Sequence, residues 1–152
     1  VGDEYVDHAS DIRTIFSDGA QLHVVSQSSL NWLNEGLKKE HGSNFREITH
    51  KHFRPNILID GLPPNMEDLL KGMRVSSFQN DAYIAFDSLT PRCSVPQRNI
   101  VNGSMEADKE PNRWLLAHRP LLDHQMTFGI NAHVEGGGFD VVQLGNEVRP
   151  MY

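Results

Sequence analysis

Two short constellations carry side chains that could do chemistry. Arg92 and Cys93 stand together where a strand-forming run, Tyr83 to Phe86, gives way to a proline-containing stretch. Segments that follow strands often carry reactive groups, because a rigid scaffold positions them while solvent still reaches them. A guanidinium beside a thiol favours the thiolate, which is both the nucleophile and the soft-metal ligand. The rival reading is inert, since a lone cysteine is commonly a small buried hydrophobe. The second constellation is Phe53-Arg54-Pro55-Asn56. A guanidinium inside an apolar strand must meet a carboxylate or a phosphate. Asn56, two residues on, shares the face of Arg54 if the segment is a strand. The pair could bind an oxyanion or the edge of a heterocycle, or Arg54 could close a structural ion pair.

Other candidates are weaker. His41, His50, His52, His118, His124 and His133 are scattered, and none forms a His-x-x-x-His pair on a helix. His50-Lys51-His52 places two imidazoles on one side of a strand, which could hold a metal or form an ordinary polar face. Gly136-Gly137-Gly138 lacks the following helix and the Lys-Ser/Thr of a phosphate-cradling loop, so a hairpin connection is the better reading.

Composition narrows the partners. The 152 residues make one domain's worth of chain, long enough to bury a sizeable core. Twenty acidic against fourteen basic residues leave a net charge of −6, which opposes nucleic-acid binding through a broad basic face. A single cysteine excludes an internal disulfide and a multi-thiolate zinc cluster within the chain. No apolar run is long enough to span a bilayer. The acidic start, Val1 to Asp7, resembles neither a signal nor a transit peptide and lacks Met, so a trimmed or excised chain is expected. The cytoplasm is the expected compartment, with the mitochondrion as the alternative if a targeting segment has been removed.

The elements that must position these groups are readable in outline. Leu22-His23-Val24-Val25 reads as a strand. Ser26 to Ser29 offers N-caps for a helix with Leu30, Leu33 and Leu37 at helical spacing and Gly42 past its end. Phe53 to Ile59 reads as a strand interrupted by Pro55. Asn65 is placed to cap a short helix, Met66 to Leu70. Ala82 to Phe86 is a strand, and Pro91 through Gly103 a long loop. Glu110-Pro111 opens a helix over Asn112 to His118 that Pro120 stops. Thr127 to Val134 and Phe139 to Val148 read as two further strands. Short strands with irregularly interspersed helices predict a mainly β, barrel-like α+β domain.

Taken in order, these residues resemble the MOSC domain, the molybdenum cofactor sulfurase C-terminal domain family. The resemblance rests on Leu22-His23-Val24-Val25-Ser26 with Ser29-Leu30 and Leu33-Asn34, then Phe53-Arg54-Pro55-Asn56-Ile57, Asp60-Gly61 and Glu67-Asp68. Arg92-Cys93, Glu110-Pro111, Leu115, Arg119, Phe128-Gly129-Ile130-Asn131-Ala132, Gly145 and Val148 continue it. It runs from about Phe16 to Val148, within a single domain over 1–152 whose first fifteen residues are an acidic lead-in. The nearest flavour is that of compact fungal proteins. The chain departs from the pattern at Pro91, where many members carry a small hydroxyl or a second cysteine. It departs again at Ser94 to Asn99, where a Thr-Thr-Val-Asp-Pro run is usual.

The resemblance implies a β-barrel with short peripheral helices that handles the molybdenum–pterin (molybdopterin) cofactor. Cys93 would be the molybdenum ligand and catalytic thiol, or a sulfur carrier. Arg54 and Asn56 would contact the cofactor's phosphate and pterin, Arg92 would hold the cysteine loop, and Arg119 would lie near the same pocket. The implied activity is reduction of N-hydroxylated substrates as a molybdenum-dependent oxidoreductase, or cofactor sulfur transfer. The partner would be an electron-donor protein or a desulfurase, with pyridoxal phosphate only in a separate partner or domain. The rivals are a non-catalytic scaffold with a degenerate pocket, and a persulfide-carrying sulfur acceptor. Chemically, a thiolate suits a soft dithiolene-bound metal, and a guanidinium grips phosphate in two-pronged fashion.

Overall fold

The computed structural model describes residues 20–76, 82–135 and 142–152. Strand β1 (Leu22–Ser26) leads into helix α1 (Gln27–His41), and a single helical turn α2 (His50–Phe53) precedes β2 (Ile57–Ile59). Strands β3 (Gly72–Val75) and β4 (Ala82–Pro91), helix α3 (Asn112–His118), and strands β5 (Leu121–Leu122), β6 (Gln125–Glu135) and β7 (Val148–Met151) follow. The strands pair in the order β2-β1-β6-β4-β3-β7, with β5 added to β6. β1 and β2 are parallel, and the other pairs are antiparallel. The result is a mainly β, curled half-barrel with a few short helices. Among the described residues no helix is long and apolar enough to cross a membrane.

The core lies on both faces of this sheet. Val24 and Val25 are both fully buried, and successive strand residues face opposite sides. Val25 packs with Leu30, Leu33 and Leu37 of α1, Phe53, Trp114, Leu115 and Phe128. Val24 packs with Ile59, Met73, Val75, Ile84, Ile130 and Ala132. The leucine spacing predicted for α1 is therefore its buried stripe, and Gly42 ends it with a φ of 55° and an N–H donated to the Lys38 carbonyl. Ser26 occupies the N-cap position but makes no side-chain cap. Ser29 is used differently, donating its hydroxyl hydrogen to Glu67 at 2.5 Å.

Two register shifts bend the β4–β6 ribbon beside the functional residues. Phe86 and Ser88 face the consecutive residues Ala132 and Asn131, so Asp87 is an extra residue in β4. Leu89 and Pro91 face Ile130 and Thr127, so β6 carries an extra residue there. Gly129 sits in that second bulge with a φ of 81°, and a Cβ on it would lie 2.5 Å from His23 Nε2. Only glycine satisfies both the backbone angle and the close approach. The slip also explains how Phe128 and Ile130, two apart, reach opposite cores.

Several local expectations need correction. Phe53 to Ile59 is not one strand. Residues His50–Phe53 form a capped helical turn, Arg54 closes it at a φ of 55°, and extended pairing starts at Ile57. Thr49 N-caps that turn, and its N–H donates to His52 Nδ1 at 3.0 Å. His50 and His52 thus lie on a helical turn, not on one side of a strand, and their metal reading loses its geometry. Met66–Leu69 is a 3-10 turn whose N-cap, Asn65, adopts a left-handed backbone without a side-chain cap. Strand β4 continues to Pro91, so the loop starts one residue later than read. In the tail, 142–147 is irregular and β7 starts only at Val148. The lead-in 1–15, Gly136-Gly137-Gly138 and Phe139 lie outside the described residues.

Candidate functional site

A cleft of about 160 Å³ opens where the end of β4, the start of β1 and the α2–β2 connection meet. Arg54, Asn56, Arg92 and Cys93 all line it, together with His23, His52, Phe53, Thr90 and Asn131. Four of the five site residues expected from sequence are brought together there.

Each is held by a local device. The Arg92 N–H donates to the Met126 carbonyl at 2.8 Å, carrying the β4–β6 ladder one residue past the strand. Its side chain turns back over the cleft. Nε donates to the Pro91 carbonyl at 3.2 Å, and the guanidinium carbon lies 5.9 Å from the centre of the Phe53 ring. Cys93 is an exposed free thiol. Its backbone is pinned, because Asn112 Nδ2 donates to the Cys93 carbonyl at 2.7 Å, tying the loop to the start of α3. The Val95 N–H points to Cys93 Sγ at 3.5 Å. The inert reading of a buried thiol therefore fails: Cys93 is on a fixed backbone with its sulfur accessible.

Arg54 is exposed and left-handed, an uncommon conformation for a residue with a side chain. The Arg54 N–H donates to the His50 carbonyl at 2.9 Å. The following Pro55 then drives the chain into extended geometry towards β2. Asn56 has a defined task in the fold. Its Oδ1 accepts the His23 N–H at 2.7 Å, and its own N–H donates to the His23 carbonyl at 2.9 Å. This reciprocal clamp closes the end of the parallel β1–β2 pair.

Arg119 does not line this cleft. It is buried, donates to Asn65 Oδ1 at 2.6 Å and to Asp68 Oδ1 at 2.9 Å, and gives its Nε hydrogen to the Thr127 carbonyl at 3.2 Å. Its charge is satisfied inside the protein, where it fastens the 3-10 turn to β6. The neighbouring Glu67 is also structural: it is 1% exposed, and burial raises its carboxyl above the usual range. Desolvation disfavours the carboxylate and outweighs the hydroxyl hydrogen donated by Ser29, which favours it.

His23 was read as part of a strand and not as a site residue. It stands between the two arginine-bearing segments, with Nε2 3.4 Å from Arg92 Nη1. Its pKa is lowered from 6.5 to about 4, first by burial and then by the Arg92 charge. The imidazole is therefore neutral at physiological pH. The signal was a polar residue breaking an apolar strand run, yet its partners are far away in sequence. Thr90 and Asn131 were also missed; the Thr90 hydroxyl donates to Asn131 Oδ1 at 2.9 Å on the cleft wall.

A second cluster, Glu40, His41 and Glu110, has ligand-type atoms within 4.8 Å of one another. Arg113 already fills it, donating to Glu110 Oε1 and to Glu40 Oε1, each at 2.7 Å. A cation is thus built into the protein at that point.

Comparison with known proteins identifies the family. The family model for the MOSC domain matches residues 11–149. Molybdenum cofactor sulfurase of Caenorhabditis elegans is 32% identical over 123 residues, covering 80% of this chain and 15% of that protein. Molybdenum cofactor sulfurase of Caenorhabditis briggsae is 31% identical over 144 residues, covering 84% of this chain and 19% of that protein. The chain spans less than a fifth of the length of either relative. On the extent of the family match and the identity to these relatives, the chain belongs to the MOSC domain family.

Proposed function

We propose that this domain binds the molybdenum–pterin cofactor in the Cys93 cleft. The observation that carries this reading is the convergence of an accessible thiol with Arg54 and Arg92 on one concave surface. The donor set suits the group. Cys93 would supply a soft sulfur ligand to molybdenum, and the guanidiniums would face the anionic phosphate. The exposed amide of Asn56 would meet the pterin edge with whatever its clamp on His23 leaves free. When bound, the cofactor supplies two-electron and sulfur chemistry at the metal, and the protein supplies binding and orientation.

Two uses of such a site are open to the chain, reduction of N-hydroxylated substrates and sulfur transfer to the cofactor. The name shared by both relatives, molybdenum cofactor sulfurase, favours the second. In that reading a separate pyridoxal-phosphate desulfurase provides the sulfur. The accessibility of Cys93 also supports a carrier step: its thiolate attacks the outer sulfur of a donor persulfide, the donor S–S bond breaks, and the donor thiolate leaves. Cys93 then holds the sulfur as a persulfide.

Expression with a molybdenum supply, followed by metal and pterin analysis of the folded protein, tests the binding reading. Wild type is expected to carry both, Cys93→Ala to lose molybdenum, and Arg54→Ala or Arg92→Ala to lose pterin. Wild type and Cys93→Ala both free of molybdenum, or both equally loaded, would overturn the ligand role of Cys93.

A further inference from the structure

The two cleft arginines belong to segments far apart in sequence. Arg92 follows the last residue of β4, and Arg54 closes a helical turn of four residues. One side chain lies between them. His23 Nε2 is 3.4 Å from Arg92 Nη1. A guanidinium can only donate, so Nε2 is the acceptor and the ring hydrogen resides on Nδ1. That assignment requires a neutral imidazole, which burial beside Arg92 maintains.

The position of the ring is itself fixed twice. Asn56 clamps the His23 backbone from both its N–H and its carbonyl, at 2.7 and 2.9 Å. The bulge at Gly129 leaves the space the ring needs, since a Cβ there would come within 2.5 Å of Nε2.

We propose that His23, clamped through its backbone to Asn56 in the Arg54 segment, is a positioning residue that holds the Arg92 guanidinium, and so sets the anion selectivity of the Cys93 cleft. It rests on the reading of that cleft as an anion-binding site. An apolar residue of similar size would fill the space but offer the Arg92 guanidinium no acceptor. Glutamine would restore an acceptor for Arg92, so it should rescue.

The test reads the potential at Cys93 without any cofactor. The alkylation rate of Cys93 by iodoacetate, an anion, is divided by that by iodoacetamide, which is neutral, at one pH and low ionic strength. The ratio is normalised to a small free thiol. Wild type should exceed the free thiol several-fold, and Arg92→Gln should lower the ratio. His23→Leu should fall towards the free thiol, and His23→Gln should retain most of the wild-type value. His23→Met serves as a second apolar variant should His23→Leu not fold. A folded His23→Leu or His23→Met with the wild-type ratio, while Arg92→Gln loses it, overturns the role of His23 and leaves the anion cleft standing. No preference for iodoacetate in wild type overturns the anion cleft, and the role of His23 with it.

Discussion

At the scale of single residues, the site depends on groups whose state is set by what surrounds them. His23 is the clearest case. Its folded pKa of about 4 lies below the unfolded value of 6.5. Between these values the unfolded chain takes up a proton that the folded chain refuses. Stability is therefore complete above about pH 6.5 and declines as pH falls towards 4, by on the order of 3 kcal/mol at most. His52 is shifted in the same direction, whereas Glu67, with its raised pKa, acts oppositely by favouring the fold at low pH. The difference between wild type and His23→Gln isolates the His23 part. Urea unfolding at a series of pH values should give a shallower acid slope for His23→Gln, and equal slopes would refute the buried neutral imidazole. The sequence pointed to Cys93 because the Arg-Cys pair is contiguous. It was silent on His23 because the partners that define its state, Arg92, Phe53 and Phe128, are brought to it only by folding.

At the scale of elements, local pattern and tertiary context divided the work. Helix α1 was legible because Leu30, Leu33 and Leu37 repeat at helical spacing and Gly42 ends the repeat. Turn α2 was not, since four residues are too few to show a period and the following Ile57-Leu58-Ile59 extended the strand signal backwards. Arg54 therefore came off a strand face and onto a left-handed turn end. Arg119 shows the opposite error, a basic residue that the resemblance placed near the pocket and whose charge is used elsewhere. With Asp68 it forms a buried bidentate pair, and with Asn65 and the Thr127 carbonyl it joins the 3-10 turn to β6. Removing one partner leaves a buried charge unmatched, which costs about 3–5 kcal/mol. Asp68→Asn should lower the thermal midpoint by many degrees. At temperatures where it stays folded, it should keep the wild-type iodoacetate preference at Cys93. A lost preference in the folded variant would place Arg119 back in the cleft's electrostatics.

At the scale of the whole molecule, one sheet separates two cores and also carries the cleft at its edge. β1 and β6 contribute to both cores through Val24 and Val25 and through Phe128 and Ile130. Neither core can form without the strands that complete the other, so the described sheet should unfold as one cooperative unit. Both tryptophans report on one side: Trp114 lies in the α1-facing core and Trp32 packs against it, with ring centres 4.7 Å apart. Ile84 lies in the other core and is fully buried. Ile84→Ala removes about 2–5 kcal/mol of packing on the side away from the tryptophans. If the cores are coupled, the tryptophan-fluorescence and far-ultraviolet dichroism transitions of Ile84→Ala should both move to lower urea and still coincide. A fluorescence midpoint that stays at the wild-type value while the dichroism midpoint falls would show two independent cores. The cleft would then depend on the tryptophan-side core alone, because Phe53, which floors the Arg92 guanidinium, stacks on Phe128 there at 4.3 Å.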